Sequence, residues 1–159
     1  MKLLLLILAL LALLHPAMGF AGAGPELAVV VNESNPINVI SSHQLREMLL
    51  GEVRWWPNRT AVIIVARDTE SEVQQRVLRQ ILRMTSHEYQ RAVLALEFRG
   101  ESAPLVKILR TDGGAAKFVF NVPGAVAVID SPAGASISPG VKMLRVDGKL
   151  PGEEGYPLK

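Results

Sequence analysis

Arg67, Asp68, Thr69 and Ser71 stand within five residues of one another, immediately behind the apolar run Ala61-Val62-Ile63-Ile64-Val65-Ala66. A guanidinium, two hydroxyls and a carboxylate in that setting can recognise a small oxyanion. The guanidinium brings charge and paired donors, the hydroxyls and free backbone N–H groups add donors, and Asp68 offers an acceptor for a remaining acid proton. The same residues also support a purely structural reading. Thr69-Glu70-Ser71-Glu72 fits a capping box, in which Thr69 caps the following helix and Glu72 reaches back to the Thr69 amide.

Whichever reading holds, a strand and a helix must position the loop. The run 61–66 is too short for a helix, and its β-branched content predicts a strand buried on both faces. After the loop, Val73, Val77, Leu78 and Ile81 recur at helical spacing with Arg76, Arg79 and Arg83 opposite, predicting an amphipathic helix over 73–84. Strand, tight loop and helix amino end, in that order, form the geometry that collects anions on unsatisfied N–H groups.

The rest of the chain alternates in the same way. Strands are expected at 26–32, 104–109 and 125–129, with a half-buried edge strand at 141–146. Helices are expected over 42–50, capped by Ser41 or Ser42 and closed by Gly51, from Ser86 with Tyr89, Ala92, Val93 and Leu96 inward, and from Thr111-Asp112 to the residue before Pro123. Phe118 and Phe120 read as core. Trp55-Trp56 reads as a packed lid or an exposed aromatic platform. Strands alternating with helices give an α/β fold, a mostly parallel sheet in three layers with helices on both faces.

Composition narrows the function. The chain of 159 residues has no cysteine, which excludes thiol catalysis, cysteine-based zinc sites and a lipid-anchored amino-terminal cysteine. Leu3–Leu14 is an unbroken Leu/Ile/Ala run behind Lys2, closed by the small residues Ala21-Gly22-Ala23, and is expected to be a signal peptide over 1–23. A single domain over 24–159 follows it, exported to the periplasm or secreted. Without Lys2, 16 basic residues face 15 acidic ones, a balance that offers nothing to nucleic acid. Asn32-Glu33-Ser34 and Asn58-Arg59-Thr60 match the glycosylation sequon. No Gly-x-Ser-x-Gly, phosphate-loop or His-Glu-x-x-His pattern occurs, His43 and His87 lie in polar helix starts, and Glu153-Glu154 reads as a solvated pair. An enzyme is not expected, nor a metal or cofactor.

Several separate segments share one resemblance. Leu27-Ala28-Val29-Val30-Val31-Asn32 before Asn35-Pro36, the stretch Ile40 to Pro57 with its Leu50-Gly51-Glu52 and Trp55-Trp56-Pro57, the strand ending in Arg67, Pro123-Gly124-Ala125-Val126-Ala127-Val128 and the tail Tyr156-Pro157-Leu158 together resemble the type 2 periplasmic solute-binding proteins, specifically the phosphate receptors of ABC uptake systems. The resemblance implies an α/β lobe from a two-lobed receptor that holds phosphate in its cleft, with this chain spanning one lobe. It places the arginine of the family's phosphate loop, approximately Arg-Ser-Asp-Gly-Ser-Gly-Thr, on Arg67 and its second serine on Ser71. The chain departs from that loop at Glu72 and Val73, where the family has glycine and threonine. A carboxylate ~4 Å from a bound anion repels it by about 4 kcal/mol at an effective dielectric near 20.

Two functions are therefore expected. One is a single-lobe solute-binding-like protein with weak binding of phosphate or a similar oxyanion at Arg67, Asp68, Thr69 and Ser71. The alternative is an envelope interaction module that has lost its ligand and docks on a transporter, a porin or another subunit.

Overall fold

The computed structural model describes residues 25–98, 100, 105–131 and 137–159, so the expected signal peptide lies outside the described residues. Among the described residues seven strands and four helices follow one another as β1 (Glu26–Asn32), β2 (Val39–Ile40), α1 (Ser42–Leu49), β3 (Ile63–Arg67), α2 (Glu72–Val77, running on as a π-helical turn over Leu78–Leu82), α3 (Ser86–Phe98), β4 (Leu105–Leu109), α4 (Asp112–Asn121), β5 (Ala125–Ser131), β6 (Val141–Met143) and β7 (Arg145–Val146).

The main sheet has the order β4-β3-β5-β1-β6. β3 pairs in parallel with β4 and β5, while β1 pairs antiparallel with both β5 and β6. Four of the five strands thus share a direction and β1 runs against them, a placement that its apolar run alone could not disclose. The expected edge strand over 141–146 is split. β6 stays on the main sheet, and after Leu144 the chain crosses so that β7 joins β2 in a separate parallel pair.

Because helices cover both faces, the central strands are apolar at consecutive positions rather than alternate ones. In β1, Leu27, Val29 and Val31 face a core shared with Leu45 and Met48 of α1 and with Val73, Val77, Leu78 and Ile81. Ala28 and Val30 face the other core, closed by Ala115 and Val119 of α4. Small residues line the α4 side of β5, where Ala125 and Ala127 let that helix sit close. The three-layer arrangement is the expected one. Phe118 packs against this second core, whereas Phe120 points outward and is exposed, because the α4 stripe that reaches the sheet consists of Ala115 and Val119.

The tail closes the molecule. Tyr156 Oη donates to Leu27 O at 2.5 Å, and Leu27 N donates to Leu158 O at 2.9 Å. Burial raises the pKa of both described tyrosines, to about 12 for Tyr89, with the Glu26 charge adding to the effect at Tyr156. A phenol that ionises more reluctantly in the folded chain contributes stability that is complete below its unfolded value near 10 and is lost as pH rises through its folded value. Base-induced unfolding is therefore expected to begin above pH ~10 and to coincide with tyrosinate absorbance. Tyrosine ionisation complete below pH ~10.5 with the fold intact would contradict the burial of both rings.

Candidate functional site

In open α/β sheets, ligands gather outside the carboxyl ends of the strands. Here that edge carries the end of β3 at Arg67, the end of β4 at Leu109, Asp130 beside the end of β5 at Ser131, and the amino ends of α2 and α4. The four residues singled out from the sequence lie on it, in the β3–α2 loop.

The loop is closed by its own bonds. Asp68 Oδ1 accepts from Glu70 N at 3.1 Å, and Asp68 O accepts from Ser71 N at 2.9 Å and from Ser71 Oγ at 2.7 Å. Ser71 Oγ in turn accepts from Gln74 N at 3.2 Å, which makes Ser71 the N-cap of α2. The expected cap at Thr69 is thus displaced by two residues. Glu72 becomes the first helical residue and stands exposed, instead of folding back on Thr69. The reason lies in Gln74, which is buried and turns its Oε1 onto Arg67 N at 3.0 Å. That bond ties the helix to the end of β3 and fixes the start of α2 at Ser71. Thr69 contributes its carbonyl, which accepts from Gln75 Nε2 at 2.7 Å.

Arg67 is the centre of the edge and only 6% exposed. Its Nε donates to Leu109 O at 3.0 Å, one terminal nitrogen donates to Arg110 O at 2.5 Å, and the other is paired with the Asp112 carboxylate. Asp112 is the first residue of α4, whose N-cap Thr111 accepts from Gly114 N at 3.0 Å. Beside this pair, Arg76 of α2 donates to Asp130 at 2.5 Å and to Pro25 O at 2.5 Å. Burial pushes the Asp130 carboxyl up from its ordinary value, the Arg76 guanidinium opposes that shift, and the charges of Asp112 and Glu72 reinforce it.

Glu72 and Asp112 thus each lie near enough to act on Asp130, beside the two guanidiniums that pair with Asp112 and Asp130. Three carboxylates against two cations leave an excess of negative charge where an oxyanion would approach. The sequence pattern found Arg67 and Ser71 but not Arg76, Gln74, Asp112 or Asp130. A signal for Asp112 did exist, since Thr111-Asp112 opens a helix after a strand as Ser71-Glu72 does. Only the parallel pairing of β3 with β4 brings the two junctions together. Among the described residues no group of His, Asp or Glu side chains could hold a metal ion, and no helix is long and apolar enough to cross a membrane.

No family model matches the chain, and no curated protein matches it in sequence. Its fold does have solved counterparts. PstS from Borrelia burgdorferi superposes with a TM-score of 0.67 at 18% identity, over 86% of this chain and 55% of its own length. An ABC-type phosphate transport receptor from Vibrio cholerae gives 0.63 at 18% identity, over 81% and 49%. A protein from Clostridium perfringens solved with bound phosphate gives 0.62 at 15% identity, over 81% and 48%. The chain spans about half the length of the structures it matches. Its fold is the α/β fold of the part of those structures on which it superposes.

Proposed function

We propose that this chain is an exported single-lobe member of the solute-binding fold that works as a docking module in the cell envelope, with its oxyanion edge closed by its own carboxylates. The observation that carries this reading is the state of Arg67. The guanidinium expected from the sequence to receive an anion is buried and bonded to Leu109 O, Arg110 O and Asp112. Ser71, the hydroxyl expected beside it, is consumed as donor to Asp68 and acceptor from Gln74. Docking is supported by exposed apolar side chains around edge strand β4 and helix α3. Ile108 of β4 and Leu94 of α3 line one surface, and both are more than half exposed, as are Leu105 and Phe98.

A second reading retains weak binding of phosphate or a similar oxyanion at Arg67, Asp68, Thr69 and Ser71. The phosphate bound in the Clostridium perfringens structure and the position of this loop at the carboxyl end of β3 favour it. Calorimetric titration of the mature protein with phosphate separates the two. The docking reading expects no binding heat up to about 20 mM, because the repulsion of nearby carboxylates removes roughly a thousandfold in affinity. Saturable heat at about 1 mM, accompanied by shifts of the Thr69 and Ser71 amide resonances, would establish the second reading instead.

A further inference from the structure

Helix α3 turns Tyr89 and Leu96 inward, and at about 100° per residue Leu94 stands roughly opposite both, at the centre of the face left to solvent. Leu94 is 51% exposed, and Phe98, one turn further along that face, is 83% exposed. A helix face turned to water is ordinarily polar, so an apolar centre with apolar surface beside it marks a contact. We propose that this face binds a second copy of the chain, as an antiparallel pair of α3 helices related by a twofold axis through Leu94. Self-association of this kind rests on the docking reading above and supplies its partner.

Charge placement selects a second copy over an unrelated chain. Arg91 and Glu97 lie three residues before and three after Leu94, hence about 4.5 Å along the axis in either direction and about 60° to either side. A twofold axis through Leu94 carries each of these positions onto the other, so Arg91 of one copy meets Glu97 of the second copy, and the pair forms twice. Both residues are exposed, and neither takes part in an ion pair among the described residues. Glu88, the acidic neighbour of Arg91 on its own helix, is held instead by the amide and hydroxyl of Thr85. A parallel pair of helices would set Arg91 against Arg91 and Glu97 against Glu97, which fixes the antiparallel arrangement.

The same rotation carries Phe98 onto Gln90. Together with Leu94, Glu97 and Ile108 of edge strand β4, Gln90 lines a groove of about 210 Å³ between α3 and the sheet edge. Each copy therefore brings its most exposed ring to the rim of the other's groove, and Leu94 meets Leu94 between them. The contact is isologous and closes at two copies.

The test is sedimentation velocity of the purified protein from about 5 µM to about 1 mM. A monomer–dimer equilibrium with a Kd of about 50 µM is expected, because the face of one 13-residue helix gives a contact at the small end of interfaces, below about 1,200 Å². Leu94→Asp should weaken it at least about tenfold and leave the urea midpoint unchanged, since Leu94 already stands in water. Arg91→Glu and Glu97→Arg should each weaken self-association at least about tenfold, because each sets like charges together at both pairs. Their equimolar mixture should dimerise about as tightly as the parent chain, since opposite signs then meet at both pairs again. A monomer up to about 1 mM, a dimer indifferent to Leu94→Asp, or a mixture that stays monomeric would each overturn the proposal. A persistent monomer would leave the docking reading, which the phosphate titration tests independently, with a partner of another kind.

Discussion

Arg67→Met is expected to lower the stability of the lobe by about 3 kcal/mol. Removing the guanidinium strands the Asp112 carboxylate beside Asp130 and Glu72, and it strips the carbonyls of Leu109 and Arg110 of their donors. Breaking one partner of a buried pair costs about 3–5 kcal/mol, and the lower end applies because the Asp112 side chain is 34% exposed. With a urea dependence of about 1–3 kcal/mol per molar, the unfolding midpoint should fall by between about 1 and 3 M. The opposite is expected of an arginine kept for a ligand. Such a cation is held at some cost to the free protein, so its loss leaves stability unchanged or raises it. An unshifted midpoint for Arg67→Met would therefore remove the main support for a closed oxyanion edge. The paired replacement Arg67→Met with Asp112→Leu sharpens the test, since exchanging both partners for apolar groups recovers much of the loss when the pair is structural.

Why Arg67 could be read as a binding residue and yet stands bonded within the chain follows from what a local sequence encodes. The strand before it is legible from an unbroken β-branched apolar run and the stretch after it from a period of 3.6, and β3 and the start of α2 form on them. The partners of Arg67 are about 45 residues away in Asp112, and nothing near Arg67 in the chain signals them. The displaced cap has the same origin. Thr69 and Ser71 both have an acceptor side chain three residues before a Glu or Gln, and it is the long-range tie from Gln74 to Arg67 that selects Ser71. The π-helical turn over Leu78–Leu82 is silent in a pattern that continues apolar through Ile81 and Leu82, and so is the αL arginine that ends it. Likewise the reversed direction of β1 cannot be read from Leu27–Val31, because a strand buried on both faces has the same composition whichever way it runs.

Trp55-Trp56 shows how the remaining ambiguity is resolved. Trp55 is 61% exposed, whereas Trp56 is buried and donates from Nε1 to Gly124 O at 2.9 Å. The same carbonyl accepts from Ile63 N at 3.0 Å, so one peptide joins the tryptophan, the start of β3 and the turn into β5. Such an approach of backbones leaves no room for a side chain. A Cβ at Gly124 would overlap the Ala61 carbonyl oxygen and crowd Thr60 Cγ2 at 3.1 Å. Gly124→Ala must therefore push the 123–124 turn away from β3 and give up one or both bonds to its carbonyl, at a cost expected to be about 3 kcal/mol or more, with reduced Trp56 protection seen as red-shifted fluorescence. The control is Gly113→Ala. Gly113 lies in the first turn of α4 with nothing within 4 Å of its added methyl, so the substitution should raise stability by about 0.5–1 kcal/mol through lower unfolded-state entropy. Two identical substitutions with opposite signs would show that Gly124 is required by the contact between strands and not by a local preference for glycine, and a tolerated Gly124→Ala would mean that β3 and β5 do not meet as closely as the Trp56 bond requires.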